Sequence, residues 1–135
     1  MERDSSVSAG PRDRFDWNDF LTLAGRLAED GDQASLRSAL SRTYYAAFCQ
    51  ARDRMEGKVN WQSIEPKGLL GEHAKIWIAF GHQNGRTNKK ISEIGFDLFE
   101  LRKRADYDAE FRATADMIQG ALERTRQLVK LLPFV

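Results

Sequence analysis

The chain has 135 residues, 41% hydrophobic and 30% charged, with 21 Lys+Arg against 20 Asp+Glu and a formal net charge of +1. A chain of that length suits one domain and buries roughly two-thirds of the surface its unfolded form exposes, so a core is attainable without metals or disulfides. The even charge balance argues against a strongly electrostatic nucleic-acid binder and leaves room only for a local basic patch.

The lone cysteine, Cys49, excludes an internal disulfide and suits a reducing compartment. The polar opening, MERDSSVSAGPRDR, lacks the apolar stretch of a secretory signal. No apolar run approaches the ~18 residues that a membrane span requires. The expectation is a cytoplasmic protein with no membrane contact.

Residues 1–14, rich in Ser, Gly, Pro and charge, read as a flexible tail, and 15–135 as a single helical domain. Asp16 is the expected N-cap of a first helix whose apolar face carries Trp17, Phe20, Leu21, Ala24, Leu27 and Ala28. Asp30-Gly31-Asp32 ends it. A second helix is predicted from about Ser35 to Glu56, stopped by Gly57. Leu36, Leu40, Tyr44, Ala47, Phe48, Ala51 and Met55 fall on one side of it. Ser38, Arg42, Tyr45, Cys49 and Arg52 form a mixed opposite side, of the kind that faces a partner.

Lys58 to Leu70 reads as a connector with Trp61 and Pro66. A short third helix sets His73, Ile76, Trp77 and Phe80 on one stripe, and Gly81 to Lys90 reads as a polar loop. The fourth helix aligns Ile91, Ile94, Leu98, Leu101 and Ala105. A fifth, starting near Asp108, carries Phe111, Ala115, Ile118, Leu122, Thr125, Val129 and Leu132 until Pro133 stops it. No stretch alternates as a strand does. The fold class expected is all-α, an up-and-down bundle of four to five helices.

Arg102 is the leading candidate for chemistry. It projects within the apolar sector of the fourth helix, and a guanidinium there needs acceptors because an unpaired buried charge is costly. Asp106, four residues on, is expected to pair with it; Tyr107 follows. The bland alternative is a structural pair closing the helix end. Arg42 and Tyr45 form a second candidate group, against the simpler reading of a solvated face. His73 reads as a core-edge histidine before it reads as a base. His82 falls in the polar loop.

Two histidines and one cysteine, with no H-E-x-x-H or C-x-x-C spacing, give no zinc signature. No glycine-rich phosphate loop or G-x-S-x-G elbow occurs either. No cofactor is expected.

Two segments carry a family resemblance. Residues 36–48, LRSALSRTYYAAF, resemble the S-R-x-Y-Y-A-x-F helix of HEPN domains (higher eukaryotes and prokaryotes nucleotide-binding). Residues 101–108, LRKRADYD, resemble the R-x-x-A-D-Y signature of a branch of small prokaryotic HEPN proteins, which Gly71-Glu72-His73 leading into Ile76-Trp77 also fits. The resemblance spans about Trp17 to Leu132. It implies a four- or five-helix bundle, usually a homodimer. Family members act as toxins beside nucleotidyltransferase-type antitoxins, as RNases in defence systems, or without catalysis.

The RNase members use R-x4–6-H, with histidine as acid or base and arginine supporting the phosphate. Here the positions after Arg102 hold Tyr107, Asp108 and Ala109, so that motif is absent. The expectation is therefore a non-catalytic or weakly active protein that binds a partner, a nucleotide or RNA. The alternatives are a metal-independent RNase using His73, and a purely structural dimerisation module. The ligand-binding set expected is Arg42, Tyr45, Arg102, Asp106 and Tyr107.

Overall fold

A computed structural model describes residues 14–56 and 71–135. The expected tail up to residue 13, the Gly57 stop and the Lys58–Leu70 connector with Trp61 and Pro66 lie outside the described residues. Five α-helices run in order: α1 (Asp19–Asp30), α2 (Gln33–Met55), α3 (Glu72–His82), α4 (Arg86–Tyr107) and α5 (Ala115–Leu131), followed by a 3₁₀ turn at Leu132–Phe134. No strand occurs among the described residues. None of these helices is long and apolar enough to cross a membrane.

The all-α bundle is organised around α2, which packs against each of the other four helices. Its expected inner face is buried along its whole length, from Leu36 through Tyr44 and Phe48 to Met55. Gly31, at φ 75°, turns α1 directly into Asp32, whose carboxylate caps α2 by accepting from Ser35 N at 3.1 Å. The tight turn makes α1 and α2 antiparallel: Trp17 Nε1, in the turn just before α1, donates to Asp53 Oδ2 near the end of α2, at 2.9 Å.

Four helix boundaries differ from expectation. Asp16 does not cap α1; its Oδ1 accepts from Asn18 N at 3.0 Å in a preceding turn, and the helix opens at Asp19 behind Asn18. The polar stretch Gly81 to Lys90 is mostly helical. α3 continues through His82, which is exposed, and α4 begins at Arg86 behind Gly85, at φ 103°, leaving only 83–85 as connection. Lys89 and Lys90 lie on the exposed opening of α4, where no apolar face betrays a helix.

The fifth helix does not start at Asp108. Residues 108–114 form a fixed connector, and Thr114 caps α5 by accepting from Met117 N at 3.2 Å. Two side chains of α2 hold this connector. Gln33 bonds Ala113 in both directions, Nε2 to the carbonyl at 2.8 Å and Oε1 from the amide at 2.9 Å. Arg37 donates to the carbonyls of Ala105, Ala109 and Phe111. With the Ala109, Phe111 and Ala113 carbonyls and the Ala113 amide bonded from α2, and with Phe111 and Ala113 buried, the segment has partners that continued helix would forgo.

α3 and α4 are also antiparallel. Gly81 meets Ser92, Trp77 meets Gly95 and His73 meets Phe99. The second of these contacts is the closest. A Cβ at Gly95 would lie 2.1 Å from Trp77 Cε3, so the fully buried indole lies directly on bare backbone. Gly95→Ala is therefore expected to displace Trp77 and destabilise the protein by about 1–3 kcal/mol. Urea unfolding measures the change, and an unaltered midpoint would contradict the packing described.

Candidate functional site

Arg102 is 6% exposed. Its guanidinium carbon lies 5.3 Å from the ring of Tyr44, 5.4 Å from Tyr45, 5.6 Å from Phe99 and 6.0 Å from Tyr107. Tyr44 and Tyr45 come from α2. Phe99 sits three residues before Arg102 on α4, where side chains meet one turn apart. Four ring faces attract the cation, but a ring quadrupole accepts no proper hydrogen bond.

The expected partner is present but distant. Arg102 Nη1 stands 3.4 Å from Asp106 Oδ2, longer than the 2.7–2.9 Å usual for a charge-assisted bond. The Ser41 hydroxyl donates to the same oxygen at 3.3 Å. Arg102 Nε is buried with no hydrogen-bond partner. A guanidinium has five N–H donors and no way to shed its charge. Arg102 is thus a buried cation short of acceptors, an arrangement that favours an additional oxyanion.

His73 reaches the same cluster from α3. Its ring stacks on Phe48 at 4.0 Å and lies parallel to Phe99 at 5.7 Å. It is 5.5 Å from both Tyr44 and Tyr45, so it shares three of Arg102's four rings. Nδ1 is 2.9 Å from the Tyr44 hydroxyl, which also receives Trp77 Nε1 at 3.1 Å. Burial, with Arg102 and then Arg52 adding repulsion, pushes the His73 pKa down to about 4. Burial likewise raises the Tyr44 phenol well above its ordinary value, so that hydroxyl keeps its proton. Near neutral pH the imidazole is uncharged, with little capacity as base or acid.

Arg42 stands between two rings, 4.7 Å from Phe20 of α1 and 4.8 Å from Tyr45. Tyr45 thereby joins Arg42 to Arg102. Part of the α2 face expected to meet a partner is instead covered within the chain, by Phe20 over Arg42 and by burial of Cys49, while Ser38 stays exposed. Tyr107 is 78% exposed and forms the outer edge of the cluster.

The fold thus brings Arg42, Tyr45, His73, Arg102, Asp106 and Tyr107 into one neighbourhood of a single chain. Nothing in the helical spacing marks Ser41 or Phe99 as part of a site, and the positions of Tyr44 and Trp77 on apolar stripes mark them only as core. The usable signal was polar atoms on apolar positions, since a buried Tyr or Trp normally spends its O–H or N–H on a partner. Among the described residues no group of three or more His, Cys, Asp or Glu is placed to hold a metal.

The depressed pKa of His73 fixes the sign of a pH effect. The unfolded imidazole titrates near its ordinary 6.5 and the folded one near 4, so the folded state binds fewer protons between those values. The stability this contributes is complete above pH 6.5 and is lost as pH falls towards 4. His73→Gln, which does not titrate, is expected to lose less stability than wild type between pH 6.5 and 4 in parallel urea titrations. Matching pH profiles would refute the depressed pKa.

No protein-family model, no curated protein and no solved structure matches the chain.

Proposed function

We propose that the protein is a HEPN-like binding module, and that the Arg102 cluster holds a phosphate of a nucleotide or RNA without cleaving it. The carrying observation is the pairing of opposites in one cluster: a buried arginine short of acceptors, and a histidine held uncharged beside it. Arginine and aromatic faces together suit phosphate and stacked bases. Cleavage by 2′-hydroxyl attack needs in addition a base for that hydroxyl and an acid for the leaving oxygen. His73 is tied to Tyr44 and resists protonation, so neither role is filled near neutral pH. On this reading the protein works as a homodimer within a toxin–antitoxin or defence module, beside a nucleotidyltransferase-type partner.

One observation favours a second reading, an RNase based on His73: His73 and Arg102 face the same three rings within one chain. General acid–base help is worth about a hundred- to ten-thousand-fold, so the two readings predict very different rates. The purified protein is expected to leave labelled total RNA intact without metal over hours. Robust cleavage by wild type that disappears in both His73→Ala and Arg102→Ala would establish the RNase reading.

The Asp106 carboxylate occupies the anion position on Arg102. Asp106→Asn is therefore expected to bind RNA more tightly than wild type, and Arg102→Ala more weakly, in fluorescence anisotropy. Light scattering is expected to give twice the 15.4 kDa mass of one chain. A monomer mass at high concentration would reject the dimer.

A further inference from the structure

The two nitrogens of His73 have unlike surroundings. Nδ1 lies 2.9 Å from the Tyr44 hydroxyl, and that hydroxyl already accepts from Trp77 Nε1 at 3.1 Å. An indole nitrogen can only donate, and a phenol carries one hydrogen. Tyr44 is 1% exposed, so if Nδ1 were the donor the phenolic hydrogen would be buried without an acceptor. Tyr44 therefore donates to Nδ1, and the imidazole hydrogen resides on Nε2. That nitrogen is on the far edge of the ring and has no hydrogen-bond partner among the described residues.

We infer that the relay from Trp77 through Tyr44 holds His73 as a fixed, neutral Nε2–H donor, and that this N–H is the second contact, beside Arg102, for a phosphate oxygen of the ligand. The inference rests on the reading of the Arg102 cluster as a phosphate site. A neutral donor fits this place better than a charged one. An imidazolium against the rings that Arg102 already occupies would set a second, half-buried cation in the same aromatic cluster, and the low pKa of His73 agrees with that exclusion. A phosphate oxygen gains a second hydrogen bond without a second cation in the cluster. Tyr44 and Trp77 then act as positioning residues, fixing the tautomer through the hydrogen bond on the opposite nitrogen.

Two measurements test this. Imidazole nitrogen-15 NMR at pH 7 should show Nδ1 unprotonated and Nε2 protonated in the wild type, and a mixture of tautomers in Tyr44→Phe. Adding a short single-stranded RNA should move the Nε2 resonance. In anisotropy titrations with the same labelled RNA, His73→Phe should bind about tenfold more weakly, as loss of a hydrogen bond to a charged group implies. His73→Gln, which keeps an N–H at similar reach, should recover part of that loss and bind more tightly than His73→Phe. A parallel titration with adenosine monophosphate separates a free nucleotide from a strand as the source of the phosphate.

A protonated Nδ1 in the wild type would overturn the inference. So would His73→Phe binding as tightly as wild type while Arg102→Ala has lost binding. Should His73→Phe not fold, the Nε2 resonance decides: one that stays fixed while bound RNA saturates the protein also overturns it. A wild type that binds neither RNA nor adenosine monophosphate overturns the phosphate reading itself, and the ligand role of His73 falls with it; the tautomer spectrum keeps the two failures apart.

Discussion

The contact between Trp77 and Gly95 sets the geometry of everything around it. An indole lying on bare backbone brings α3 and α4 closer than two ordinary side chains would permit. Close-packed interiors transmit such a constraint because they have few voids to absorb a shift. Trp77 Nε1 is thereby aimed at the Tyr44 hydroxyl, and that hydroxyl meets His73 Nδ1. One missing methyl group thus aligns three polar atoms drawn from two helices. The same closeness lets His73 lie parallel to Phe99, one turn before Arg102.

Arg102 is the counterweight to that order. Among the described residues, Thr125 Oγ1 is the one other buried side-chain atom without a partner, while this guanidinium is left with one long ion pair, four ring faces and a buried, unpartnered Nε. An arrangement of this kind does not favour stability, since a buried charge must be both paired and hydrogen-bonded to offset its desolvation. It is a local inconsistency in an otherwise well-packed bundle, and it is the feature on which the proposed phosphate site rests. The aromatic faces keep the cation in place without consuming its donors.

The outer wall of the cluster is held from a distance. Asp106 and Tyr107 are the last turn of α4, and a helix end frays unless its carbonyls find partners. Arg37 supplies one by donating to the Ala105 carbonyl, and it continues along the connector to Ala109 and Phe111. Gln33 anchors the far end of the same segment at Ala113. The N-terminal turns of α2 therefore steady the wall while its middle turns contribute Ser41, Tyr44 and Tyr45.

Helix periodicity by itself determined the class of fold, the inner face of α2 and the pairing of Arg102 with Asp106, because these depend on spacing along one helix. Where polar residues open a helix, as at Arg86 to Lys90, the pattern carries no helical signal and resembles that of a loop. The break at 108–114 is hidden for the opposite reason: Phe111 and Ala115 keep helical spacing, while the open connector is favoured by a local turn at Asp108 and by hydrogen bonds from Gln33 and Arg37, more than sixty residues away. The roles of Tyr44, Trp77 and Gly95 were likewise decided by tertiary structure alone. A tyrosine, a tryptophan and a glycine on apolar stripes read as packing. Their polar atoms and the bare backbone become a relay to His73 only when α2, α3 and α4 come together, since the partners that define it lie on different helices.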